Sequence, residues 1–138
     1  MVIKYMLDEG GFAPEKAHRA DAGFDIKSPV KVIVPEHGSA IIDTRLRVGI
    51  PVGYVGMIKS KSGLNVKQGL RAEGVIDAGY IGTIVVKMYN DSDKPYTFNI
   101  GDKLTQLVIL PIPDVDMVGT NSLETSDRGE NGFGSSGK

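Results

Sequence analysis

The stretch RAEGVIDAGYIG (71–82) sets Asp77 between the apolar run GVI and a Gly-Tyr turn, with Gly74, Gly79 and Gly82 around it and Tyr80 three residues on. A lone carboxylate in a tight turn is ordinarily an Asx cap. Three glycines this close have a second use, because they let a ligand approach the backbone of a hairpin. A carboxylate held there can orient and deprotonate a water molecule. A second stretch, KSKSGLN (59–65), puts Lys61, Ser62 and Gly63 where a helix begins. Free N–H groups at a helix start bind phosphate, although a simple Ser cap beside a solvated lysine is the commoner arrangement.

The chain ends in RGENGFGSSGK (128–138), whose last seven residues spell G-x-x-x-x-G-K. A true phosphate loop follows a strand, opens a helix and carries Ser or Thr after the Lys. A polar tail precedes this run and no residue follows it, so the match to that motif is accidental. The chemistry is still apt for phosphate. Glycine N–H groups form anion nests, Ser135 and Ser136 add hydroxyl donors, and Arg128 adds a planar fork. Phe133, between Gly132 and Gly134, offers a flat ring for stacking. Composition alone favours a glycine-serine tail without function, and the particular mixture of Arg, Phe, Gly and paired Ser brings the two readings level. Two further polar residues stand out. Asp25 in RADAGFDI (19–26) reads as a turn cap beside the apolar Phe24 and Ile26. Gln106 in IGDKLTQLVI (100–109) reads as a polar residue on an edge strand.

The apolar segments that must position these groups are short and β-branched. Strands are expected at 2–6, 30–34, 39–43, 46–50, 54–59, 83–89, 96–100 and 104–110, separated by Gly, Pro, Asp and Asn. Many short strands at regular spacing predict an all-β jelly roll, sandwich or barrel. Adjacent apolar pairs, Ile41–Ile42 and Val85–Val86, predict strands buried on both faces, one of them against a second subunit. Residues 62–70 alone read as helical, with Ser62 as N-cap and Gly69 as stop. Beyond Pro113 large apolar side chains become sparse. The chain therefore divides into a β domain, 1–113, and a tail, 114–138, that cannot fold alone.

Composition narrows the function. The 138 residues carry 16 basic and 17 acidic side chains, a balance that argues against a nucleic-acid or membrane-surface binder with a broad basic face. With no cysteine and only His18 and His37, disulfides and thiolate metal sites are excluded and a protein-built zinc site is disfavoured. The absence of a long apolar run or a signal-peptide shape predicts a cytoplasmic protein.

In order along the chain, AGFDI (22–26), KSGL (61–64), GVIDAGYIG (74–82), GDKLTQLVI (101–109) and RGENGFGSSG (128–137) resemble the five motifs of the trimeric dUTPase family. The resemblance spans nearly the whole chain. It implies a jelly-roll (β-clip) subunit in a homotrimer, with active sites at subunit interfaces and an arm from a neighbouring subunit closing over the nucleotide. It implies Mg²⁺-assisted hydrolysis of dUTP to dUMP and pyrophosphate. Carried over by position, Asp77 directs water onto the α-phosphorus and Tyr80 excludes a 2′-hydroxyl. The backbone at Val75 and Ile76 holds the uracil edge. Lys61, Ser62, Gly63 and Gln106 contact phosphates. Phe133 stacks on uracil beside Gly134, while Arg128, Ser135 and Ser136 hold the distal phosphates. Asp25 reaches Mg²⁺ through water.

Some positions depart from that pattern. Lys61 and Lys103 stand where Arg is usual, which keeps charge and loses a bidentate fork. Gly79 replaces a frequent Asp, Arg71 a frequent Asn, and Ser136 the usual Thr. Two other readings compete: a dCTP deaminase-like enzyme, which the complete fifth motif argues against, and a regulatory protein that uses the same scaffold to bind another protein.

Overall fold

The longest strand is also central to its sheet. The structure, a computed structural model, describes residues 1–137; Lys138, the final residue of the terminal G-x-x-x-x-G-K run, lies outside the described residues. Chain order gives β1 (Tyr5–Leu7), β2 (Gly23–Lys27), β3 (Val32–Val34), β4 (Ser39–Asp43), β5 (Leu46–Val48) and β6 (Tyr54–Lys59). Then follow α1 (Ser62–Gln68), β7 (Leu70–Arg71), β8 (Gly74–Ile76), β9 (Val85–Asn90), β10 (Tyr96–Phe98) and β11 (Lys103–Pro111). β11 lies between β2 and β6, and β8 closes that four-stranded sheet on the far side of β6. A second sheet runs β4-β9-β7, and β1-β5 and β10-β3 form two-stranded ribbons. Every pairing is antiparallel.

Eight of the eleven strands fall on the predicted β-branched runs, while β2, β7 and β8 lie outside them and β7 begins at Leu70, where the sequence predicts the helix to end. The alternation along the strands builds one core. Ile26, Ile58, Leu104 and Leu107 from the four-stranded sheet share a single cluster with Ile42, Leu70, Val86 and Met88 from the second. Phe98 and Val34, from the β10-β3 ribbon, are 1% and 0% exposed in it. Such packing is what makes isolated short strands stable. Buried polar side chains are all satisfied among the described residues. Thr44 Oγ1 donates to the Ile84 carbonyl at 2.6 Å, and Asn90 Nδ2 donates to the carbonyls of Val34 and Lys94 at 3.1 and 2.7 Å.

Several sequence expectations need correction. The first strand spans Tyr5–Leu7 rather than 2–6. Asp25 is not a turn cap: it lies inside β2, whose pattern of alternation is masked by the charge. Gln106 is not on an edge, because β11 is paired on both sides. Lys61, not Ser62, occupies the N-cap of α1, with no side-chain cap bond; Ser62 is the first helical residue. Gly69 does end the helix, with φ 69°, the left-handed geometry glycine adopts without strain. Within this chain the doubled apolar pairs bury one partner each: Ile42 and Val86 are interior, while Ile41 and Val85 are 69% and 53% exposed.

After β11 the described chain carries no further strand or helix, and nearly all of residues 114–137 are exposed. Hydrogen bonds along 114–137 are local, such as Arg128 Nε to the Asn131 carbonyl at 2.9 Å and the Ser135 amide to the Gly132 carbonyl at 3.1 Å. Phe133 is fully exposed, at φ 49°.

Candidate active site

One end of the four-stranded sheet gathers cations around a single carboxylate. β2 places Asp25 opposite Gln106 of β11, and Gln106 is in turn opposite Lys59 of β6. Asp25 is only 6% exposed. Lys61, arriving from the end of β6, bonds its Oδ1, and Lys103, at the start of β11, bonds Oδ2 at 2.7 Å. Burial opposes the charge on Asp25. Hydrogen bonds from Lys103 and Lys61, with their charges, outweigh that and hold the carboxyl below its usual 3.8. The same bond raises Lys103 above the ordinary lysine value. Gln106 is aimed by its Nε2, which donates to the Ser60 carbonyl at 3.1 Å. Gly23 makes that placement possible: a Cβ there would stand 2.5 Å from Gln106 Oε1. Sequence reasoning missed this glycine, whose only signal was its place before Phe24 and Asp25.

The hairpin that follows β8 forms the second half. β8 is an edge strand, so alternate residues along Gly74–Ile76 turn their backbone N–H and C=O away from β6. Asp77 is exposed, and its carboxylate has no side-chain partner among the described residues. The Asp77 carbonyl accepts from the Tyr80 amide at 3.2 Å, closing the turn through Gly79 at φ 82°. Tyr80 folds its ring onto Gly82 and donates its hydroxyl to the Thr83 carbonyl at 2.9 Å. A Cβ on Gly82 would collide with the tyrosine hydroxyl and ring. The ring is therefore held in place, 46% exposed.

The two halves are not adjacent in one copy of the chain. β8 pairs antiparallel to β6 with Gly56 opposite Ile76 and Ile58 opposite Gly74, so Asp77 leaves beside Val55 while Lys61 lies beyond Lys59. Six residues of extended chain separate them, on the order of 20 Å at the rise of a strand. Lys61, Ser62, Gly63, Lys103, Asp25 and Gln106 thus belong to one edge; Val75, Ile76, Asp77 and Tyr80 belong to another. Arg128, Phe133, Gly134, Ser135 and Ser136 stand apart on the arm. Arg71 is engaged elsewhere: its guanidinium pairs with Asp91 at 2.7 Å and lies 4.4 Å from the Tyr89 ring centroid.

No group of three or more metal-ligating side chains exists among the described residues. At the cation edge, both oxygens of Asp25 are already taken by ammonium groups. This edge therefore offers a divalent ion no free carboxylate among the described residues, and an ion there would be held through water and by the oxygen ligands of a phosphate chain.

Lysines gathered on one edge of a β scaffold, and an unpartnered acid presented on another, are groups whose chemistry suits phosphate esters. The chemistry narrows on comparison. A family model described as dUTPase matches residues 11–137, and the chain belongs to the dUTPase family. It is 39% identical over 134 residues to the deoxyuridine 5'-triphosphate nucleotidohydrolase of Eremothecium gossypii, covering 96% of this chain and 88% of the relative. It is 36% identical over 137 residues to the enzyme of the same name from Candida albicans, covering 97% and 86%. Among solved structures, Staphylococcus bacteriophage 80alpha dUTPase with dUPNHPP superposes with a TM-score of 0.92 at 33% identity, covering 99% of both chains. That work describes phage dUTPases as controlling transfer of virulence genes. A variant dUTPase of phage phi11 of S. aureus, described as coordinating a structural Mg(II) ion, superposes with a TM-score of 0.83 at 31% identity, covering 91% of this chain and all of the other. The β architecture described above is thus the dUTPase fold.

Proposed function

We propose that this protein hydrolyses dUTP to dUMP and pyrophosphate, at sites assembled between the subunits of a homotrimer. The observation that carries the reading is the separation of about 20 Å along β6 between the cation edge and the Asp77 hairpin. A triphosphate cannot be held by one edge and attacked from the other in a single copy. A neighbouring subunit's hairpin against this copy's cation edge meets both needs. The exposed Ile41 and Val85 and the exposed arm support the same assembly.

In that site, Lys61, Ser62, Gly63 and Gln106 bind phosphate oxygens, and Lys103 adds charge beside them. The backbone at Val75 and Ile76, on the outer strand of the sheet, reads the uracil edge. Tyr80 packs on the deoxyribose, where its fixed ring leaves no room for a 2′-hydroxyl. Asp77 accepts a proton from a water molecule as its oxygen bonds the α-phosphorus and the bond to the α,β-bridging oxygen breaks. The leaving group is pyrophosphate. The arm, 114–138, closes a neighbouring site: Phe133 stacks on the base beside Gly134, and Arg128, Ser135 and Ser136 take the distal phosphates. Asp25 would hold Mg²⁺ through water, and the ion when bound neutralises phosphate charge. In a cytoplasmic setting this activity keeps uracil out of DNA and supplies dUMP for thymidylate synthesis.

The test is pyrophosphate release from dUTP, dCTP, dTTP and UTP, with and without Mg²⁺. Release confined to dUTP is expected. Ammonia release from dCTP would point to the deaminase-like alternative, and no turnover to a binding protein. A regulatory role beside catalysis draws support from the gene-transfer control described for the phage relative.

A further inference from the structure

The Tyr80 hairpin is tied to the body by few contacts, and one of them comes from a residue outside the family motifs. Arg47 lies on β5 opposite Met6 of β1. Its guanidinium makes three hydrogen bonds. Nε and Nη2 donate to Asp8 Oδ1 and Oδ2 at 2.9 and 2.8 Å, and Nη1 donates to the Ile81 carbonyl at 3.0 Å. The two-pronged bond to Asp8 fixes the plane of the fork. The third nitrogen, Nη1, then points at the carbonyl of the residue that follows Tyr80.

Other moorings lie at the ends of the loop. The Gly79 amide reaches the Ile50 carbonyl at 3.3 Å, and the Ile84 amide reaches the Leu46 carbonyl at 2.8 Å. The Tyr80–Thr83 bond is internal to the loop. Between Gly79 and Ile84, Arg47 supplies the one hydrogen bond from the body to the loop among the described residues. Packing does not replace it, because a cavity of about 310 Å³ opens between β1, β5 and the hairpin, lined by Met6, Arg47, Val48, Gly49, Tyr80 and Ile81.

We propose that Arg47, anchored by Asp8, is a positioning residue for Tyr80 and sets how strongly the enzyme rejects ribonucleotides. This rests on the sugar-gate reading of Tyr80 given above. A ring that excludes one hydroxyl group must be placed to a fraction of an ångström, and a loop released from its mid-point bond samples a wider range of ring positions. Arg47 touches no substrate; its effect passes through the backbone at Ile81.

The experiment compares kcat/KM for dUTP and UTP in Arg47→Gln, Asp8→Asn, Tyr80→Ala and the double variant Arg47→Gln/Tyr80→Ala. Arg47→Gln should lower the dUTP-to-UTP ratio by roughly three- to tenfold, the worth of one net hydrogen bond. Asp8→Asn, which loosens the anchor and keeps the Ile81 bond, should give a smaller fall. In the Tyr80→Ala background Arg47→Gln should change the ratio no further. A merely structural role would lower both substrates alike. An unchanged ratio in Arg47→Gln, while Tyr80→Ala narrows it, overturns the inference and leaves the gate standing. An unchanged ratio in Tyr80→Ala removes the gate itself. Should Arg47→Gln not fold, the Asp8→Asn ratio decides in the same way.

Discussion

If each active site joins the cation edge of one subunit to the hairpin of another, two inactive variants must repair each other. Asp77→Asn removes the proposed base, and general-base catalysis is typically worth ~10²–10⁴-fold in rate. Lys61→Ala combined with Gln106→Ala removes one charged and one neutral phosphate contact. The loss from the pair is on the order of 30- to 2,000-fold, from net values of ~1.5–3 kcal/mol for the charged contact and ~0.5–1.5 kcal/mol for the neutral one. The two lesions lie on edges on the order of 20 Å apart in one chain. In trimers formed randomly from equal amounts of both variants, a site works only when its hairpin comes from the phosphate-site variant and its cation edge from the Asp77→Asn variant. Each condition holds for half the subunits, so roughly a quarter of sites recover in a cyclic trimer with heterologous interfaces. The assay is co-refolding of differently tagged variants, confirmation of mixed trimers by native mass spectrometry, and pyrophosphate release from dUTP. Activity near the sum of the separate variants, in verified mixed trimers, would refute the composite site.

Four further outcomes are expected. Deleting residues 128–138 should leave the ligand-free melting temperature almost unchanged, since the described arm makes only local hydrogen bonds, yet greatly reduce turnover; Phe133→Ala should weaken function by ~1–3 kcal/mol, the usual worth of base stacking. Phe98→Ala empties a fully buried position and should destabilise the fold by roughly 3–5 kcal/mol, read from a urea midpoint. The hydrogen bond from Arg47 and its charge hold the Asp8 carboxyl below 3.8 against partial desolvation, so the pair contributes stability above that pH and loses it as pH falls through the folded value. The stability gap between wild type and Asp8→Asn should therefore be present at neutral pH and close in acid, and a gap that stays constant through acid titration would contradict the pairing.

The reach and the limit of the sequence show in particular residues. β-branched runs punctuated by Gly and Pro disclosed most of the strands, because a strand's preference is local and its period is two. Gly69 disclosed its own helix stop for the same kind of reason, a backbone angle that other residues adopt only with strain. The motifs around Asp25, Lys61, Asp77, Gln106 and Phe133, in order, disclosed the family. What no local pattern carried was who stands beside whom. Asp25 reads as a turn residue until β11 and β6 bring Lys103 and Lys61 to it, from 78 and 36 positions away in the chain. Gln106 reads as an edge residue until pairing on both sides encloses it. Nothing in the sequence singles out Arg47, and only the fold carries Asp8 and Ile81 to its fork. Strand pairing and charge pairing are non-local, and their partners are chosen by burial of the common core. The same holds for the candidate site: its residue types are written in the chain, but the antiparallel register of β8 on β6 sends Asp77 and Lys61 to opposite ends of β6, a separation that no local pattern carries.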